Sequence, residues 1–155
     1  MEHKQTHAII GLCRVSDDLD YHAKNFVKLL LDAPSGAKTL GDAVIFEAIA
    51  GTDFDFFVYA HRRKFFVKYS HVIKQGDSGP QIRGYFQMFS FEQDRVSPIR
   101  LSPTPIETIE IDGIGEIYPL ADDLCCSPNT PFESQTSKAL IMRVMQAVQR
   151  SITEA

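Results

Sequence analysis

The chain has 155 residues, 44% of them hydrophobic and 23% charged, with a formal net charge of −4. This length and balance fit one globular domain around a single core and exclude a disordered or fibrous chain. No run nears the roughly 18 apolar residues of a membrane-spanning helix, and the start, MEHKQTHAII, lacks the basic and apolar segments of a secretory leader. The expectation is therefore a cytoplasmic protein without a membrane partner.

The charge is unevenly spread. Phe54 to Arg100 carries 8 Lys/Arg against 4 Asp/Glu, whereas Leu101 to Ser137 carries no Lys or Arg against 7 acids. A basic middle and an acidic segment in one small domain partly neutralise each other, and an acidic chain overall argues against a broad nucleic-acid footprint. Three cysteines, Cys13 and the adjacent pair Cys125 and Cys126, make a poor disulfide framework, so reduced thiols are expected.

In chain order, His7 to Val15 is short and apolar, and periodicity there does not separate strand from helix. Residues 1–15 stay open to either reading or to a flexible lead-in. Ser16-Asp17-Asp18 has the composition of a helix start, since a side-chain oxygen caps free amides and acids favour the positive end of the dipole. Leu19, His22, Ala23, Phe26, Val27 and Leu30 then recur at helical spacing until Asp32-Ala33-Pro34-Ser35-Gly36.

The period next switches to two. Ala43–Ala50, Phe54–His61, Lys64–Ile73 and Ile82–Phe91 are predicted strands, with turns at Gly51-Thr52-Asp53, Arg62-Arg63 and Gly76 to Pro80. Val96–Leu101, Ile106–Ile111 and Ile114–Tyr118 are shorter candidates whose prolines suggest edge strands or a covering loop. Thr130-Pro131-Phe132-Glu133 combines a capping box with proline at the first helical position. After it, Ile141, Val144, Met145, Val148 and Ile152 form one stripe of a C-terminal helix, with Lys138, Arg143, Gln146 and Gln149 off it. The predicted fold is α+β: an antiparallel meander of four to six strands flanked by an N-terminal helix and a long C-terminal helix, in one domain over residues 1–155.

With Arg62-Arg63 as a two-residue turn, Ala60, Val58 and Phe56 face Phe65, Val67 and Tyr69 on the core side, joined by Val44, Phe46, Ala48, Ala50, Ile82, Phe86 and Met88. The opposite face carries Phe57, Tyr59, Phe66, Tyr85, Phe89 and Phe91 with Lys64, Lys68 and Arg83, too many rings for an ordinary solvated face. Two helices are wide enough together to hide one face of such a sheet, or can take one face each, and the Pro-rich acidic segment can alternatively fold over the aromatics. In the first arrangement the aromatic face is a contact platform.

Other constellations are weaker. Gly76-Asp77-Ser78-Gly79-Pro80 is similar to the nucleophile segment of trypsin-like serine proteases but one glycine shorter, and it sits in a hairpin, so a tight turn is expected. Asp55, Tyr59 and His61 alternate on one face, with Glu47 and Lys64 alongside, and could do acid-base work or form a polar rim around the rings. His3 and His7 are four apart, which would align two ligands on a helix, but have no third ligand nearby in sequence, and Cys125-Cys126 after Asp122-Asp123 lacks the spacing of a zinc site. No metal and no cofactor are expected. The ring-and-base pattern resembles in chemistry the sheets on which single-stranded RNA bases stack, but the ribonucleoprotein motif is absent.

The leading expectation is a non-catalytic protein that binds another protein, in the manner of an inhibitor, an immunity or antitoxin protein, or an accessory chaperone, or that forms a homodimer. Its partner-binding residues are Phe57, Tyr59, His61, Lys64, Phe66, Lys68, Arg83, Tyr85 and Phe89, with the acidic stretch Glu107 to Asp123 as a second, electrostatic epitope. One alternative is a small enzyme built on Asp55, Tyr59, His61 and Glu47; another is a single-stranded nucleic-acid binder.

Overall fold

The computed structural model describes residues 3–32, 44–77, 79–92, 99–118 and 133–153. Two helices, α1 (His3–Asp32) and α2 (Glu133–Ile152), accompany an antiparallel sheet curled into a half-barrel. The strands are β1 (Val44–Ala48), β2 (Phe56–Ala60), β3 (Arg63–Gly76), β4 (Gly79–Glu92), β5 (Arg100–Leu101), β6 (Glu107–Ile111) and β7 (Ile117–Tyr118). Their order is β1-β2-β3-β4-β6-β7, with β5 paired to β4 alone. The class is α+β, as predicted. The path holds six strands, within the expected four to six, and the two-residue β5 off it is a seventh; β5 and β7 fall within the proline-interrupted candidates Val96–Leu101 and Ile114–Tyr118.

α1 begins well before the predicted start. It runs unbroken through Ser16, whose hydroxyl donates back to the Cys13 carbonyl at 2.7 Å instead of capping a free amide. A serine within a helix satisfies itself in this way, so a cap-like residue type is not by itself a boundary. At 1.5 Å per residue, these 30 residues span about 45 Å. Only the second half is seated: Leu19, Ala23, Phe26, Val27 and Leu30 are buried, whereas Ile9 and Ile10 are about half exposed.

The β2–β3 turn is His61-Arg62, with φ of 51° and 61°, and not Arg62-Arg63. Two consecutive left-handed residues make the hairpin turn whose twist matches that of its strands. Tyr59 therefore pairs with Lys64, Val58 with Phe65, Phe57 with Phe66 and Phe56 with Val67. This register differs by two residues from the predicted one, and because the side-chain period of a strand is two, every residue keeps its face. The β3–β4 hairpin closes tightly, with Gly76 opposite Gly79.

Phe56, Val58, Ala60, Phe65, Val67, Phe86 and Met88 are buried on one side of the sheet, with Ile109, Ile111 and Ile117 from β6 and β7. Ala48 and Ala50, assigned to this face from the alternation, are exposed, because β1 ends at Ala48 and the chain turns there. α1 covers the core face through Phe26, stacked on Phe86 at 4.3 Å between centroids. α2 lies on the same face through Leu140, Ile141, Val144, Met145, Ala147 and Val148, all buried. The capping segment 130–132 predicted for α2 and the cysteine pair at 125–126 lie outside the described residues.

Candidate functional site

With α1 and α2 sharing one face, no described helix lies over the other. The hydrogen-bonded register arranges that face in rows. Glu47, Phe57, Phe66 and Phe89 lie side by side across β1 to β4, and Ile45, Tyr59 and Lys64 form the next row. Phe57 packs against Phe66 at 5.9 Å and against Phe91 at 6.4 Å between centroids. Lys64 Nζ rests 3.9 Å from the Phe57 centroid, 5.7 Å from that of Tyr59 and 5.9 Å from that of Phe91. An ammonium over ring faces is held by their negative quadrupoles while its stem covers apolar surface. Phe57, Tyr59, Phe66, Tyr85 and Phe89 are half-buried, Lys68 is exposed, and Ile45 is 51% exposed on β1, the outermost of the described strands.

Toward β7 the same face becomes ionic. Arg83 meets Asp112 at 3.6 Å and Glu110 at 3.9 Å, and its guanidinium lies 5.5 Å from the Tyr118 ring centroid. Lys74 reaches Glu110 at 3.0 Å and sits 5.6 Å from the Tyr85 centroid. The hydrogen bond to Glu110 raises the Lys74 ammonium above its ordinary value, and the bond from Tyr118 to Glu116 does the same for that phenol. Of the predicted contact residues, Phe57, Tyr59, Lys64, Phe66 and Phe89 are thus neighbours. Tyr85 and Arg83 belong to a separate, internally neutralised cluster.

Two expectations are corrected here. Glu107, Glu110 and Asp112 of the acidic stretch are engaged by cations and do not form a free electrostatic epitope, whereas Glu116 is exposed, its carboxylate accepting the Tyr118 hydroxyl. Glu107 lies on the core face, and Glu110 and Asp112 are matched by Lys74 and Arg83. Residues 119–123 are outside the described set. Nor is an acid-base group assembled from Asp55, Tyr59, His61 and Glu47. Asp55 Oδ1 accepts the backbone N–H of Tyr69 at 2.9 Å, so it completes the β2–β3 pairing where the regular ladder stops. His61 sits in the turn and not on the face, its Nε2 3.3 Å from Gln149 Nε2 of α2. Tyr59 lies between Ile45 and Lys64.

A different acid, phenol and imidazole do meet, between α1 and β3. Asp20 Oδ1 accepts the Tyr69 hydroxyl at 3.3 Å and lies 2.8 Å from His71 Nε2. Tyr69 can lie flat across β4 because position 84 is glycine; a Cβ there would stand 2.8 Å from the ring. Phe54 and Phe86 flank the same ring at 4.9 Å between centroids. The group fastens the helix to the sheet, joining Asp20 of α1 to Tyr69 and His71 of β3.

Burial first, then the Asp20 charge and its hydrogen bond, push the Tyr69 phenol well above the ordinary tyrosine range. The folded state therefore holds this proton to higher pH than the unfolded chain does. Its stabilising contribution is complete below the ordinary tyrosine value of about 10 and is lost as pH rises above it. In an alkaline titration followed by phenolate absorbance, one of the five tyrosines should resist until the protein unfolds, and Tyr69→Phe should remove that lagging phase. Simultaneous ionisation of all tyrosines in the folded state would contradict this burial.

A second group that sequence reasoning missed joins β6 to α2. Arg143 Nε lies 3.1 Å from Glu107 Oε2, and Arg150 Nη2 donates to the same oxygen at 3.1 Å. The Glu107 side chain is only 9% exposed. The signal was present in the alternation, since Glu107 shares strand parity with Ile109 and Ile111, a core position for a charge.

Among the described residues no helix is long and apolar enough to cross a membrane, and no group of three or more His, Cys, Asp or Glu side chains is gathered as for a metal ion. Comparison of the chain with protein-family models, with curated proteins and with solved structures returned no match.

Proposed function

We propose that the protein is a non-catalytic binding protein whose aromatic sheet face docks another protein, a second copy of the chain included. The observation that supports this most is the placement of both helices on one side of the sheet. It leaves the rows built on Phe57, Tyr59, Phe66 and Phe89 with Lys64 uncovered by any described helix. Half-buried rings held in register by a sheet are rigid, so little side-chain freedom is lost on docking, and rings with adjacent cations are the usual anchors of protein contacts. An inhibitor, immunity, antitoxin or accessory chaperone role, in a cytosolic setting, is part of this reading and rests on the sequence.

The nucleic-acid alternative is weakened by the pairing of Arg83 with Glu110 and Asp112, which leaves Lys64 and Lys68 as the cations beside the rings. The enzyme alternative loses its assembled acid-base group. The reading is tested by light scattering together with a pull-down from native lysate, using wild type and a Tyr59→Ala/Phe66→Ala variant. A dimer or a captured partner that the variant loses is the expected outcome; a monomer that captures nothing removes the proposal.

A further inference from the structure

We propose that the cleft at the end of the sheet beside the His61-Arg62 turn receives an acidic, aromatic-bearing peptide segment of the partner. This rests on the docking reading above and names the chemistry of the partner. The cleft has a volume of about 610 Å³ and is lined by Arg63, Lys64, Ser90, Phe91, Ile99 and Ser151 among others. That is the size of sites that take ligands of a few residues. It continues the aromatic face, because Lys64 and Phe91 belong to both.

Charge decides what fits. Lys24, Lys74, Arg83, Arg143 and Arg150 each meet a carboxylate. Arg63 and Lys64 meet none among the described side chains, and the described lining of the cleft contains no acid. The rings beside Lys64 cannot occupy all three N–H donors of its ammonium, so the group retains hydrogen-bonding capacity for an incoming carboxylate. Phe91 and Ile99, 37% and 60% exposed, supply an apolar wall beside these cations. A carboxylate next to a ring satisfies both halves. An open cleft continuous with a docking face suits a segment of a docked protein better than a free small anion.

The probe is a fluorescein-labelled hexapeptide of alternating Glu and Phe, compared by anisotropy with its Lys-for-Glu counterpart, with inorganic phosphate and ATP as competitors. Wild type should bind the acidic peptide about tenfold tighter than the basic one, since close charge pairs across an interface are worth at least that factor. Arg63→Glu/Lys64→Glu should abolish the preference, and Arg63→Gln/Lys64→Gln should reduce it. Equal affinity for the two peptides, or a preference unchanged in the charge-reversed variant, overturns the proposal. Displacement by phosphate or ATP at concentrations matching the peptide overturns the peptide assignment in favour of a general anion site. The two readings separate through Tyr59→Ala/Phe66→Ala. Partner loss in that variant without any peptide preference in wild type sinks the cleft alone, and a retained peptide preference without any docked protein sinks the face alone.

Discussion

Glu107→Ala should destabilise the protein by about 2–3 kcal/mol, read as a lower midpoint in denaturant at unchanged slope. Removing one partner of a fully buried ion pair typically costs about 3–5 kcal/mol, because the other charge is left without compensation. The expectation here is lower because only one side of the pair is deeply placed. Glu107 is 9% exposed, whereas Arg143 is 32% and Arg150 68% exposed, so Arg150 can swing into water when its partner is gone. Arg143 cannot escape as easily, since its Nε is buried. Glu107→Gln, which preserves shape and an acceptor oxygen, should cost less than the alanine change. A loss below about 0.5 kcal/mol for alanine would mean that the carboxylate behaves as an ordinary surface charge, and that α2 is held by its apolar stripe alone.

Tyr59→Ala/Phe66→Ala should weaken partner binding or self-association about 100-fold or more, as expected when two central aromatic anchors are removed. The same variant should lose only about 1–2 kcal/mol of stability, because half-buried rings on an outer face contribute cross-strand pairing and not core burial. Phe66 faces Phe57 across β2 and Phe89 across β4, so its removal weakens a row without opening a cavity in the packed side. The ratio of the two effects is the informative quantity. A stability loss of about 3–5 kcal/mol, the size seen for aromatic truncation in a core, would show that these rings are enclosed within the subunit.

The fold was legible where side-chain period alone decides it. All seven strands and both helices fall on segments that the sequence marks, and the faces of β1 to β4 follow from alternation. The His61-Arg62 turn was not legible, because neither residue is the glycine or asparagine that normally announces two left-handed positions. The resulting register error was harmless to the faces only because it was an even number of residues. It did matter for His61, which moved from the platform to the turn. The early start of α1 was hidden by Ser16, a good cap by type that instead bonds within the helix.

The site was legible in part for the same reason. Parity placed Phe57, Tyr59, Phe66 and Phe89 together, since cross-strand neighbours follow from local pairing. Contacts between distant elements were not accessible. Asp20 meets Tyr69 and His71 across about fifty positions, and Arg143 meets Glu107 across 36. Local periodicity carries no information about which charge on a helix lands beside which strand. Asp55 shows the converse difficulty: its residue type suggested chemistry, and its surroundings give it a backbone amide to hold.

The proposed docking face, over which no described helix lies, is tested most directly by site-specific photocrosslinking in native lysate, with benzoylphenylalanine placed at position 59 or, as a control, at position 21. Tyr21 is 62% exposed but lies on α1, away from the sheet face. A discrete adduct to another polypeptide, or to a second copy of the chain, at position 59 and not at 21 is the predicted result. Crosslinks from position 59 confined to the same molecule would contradict it.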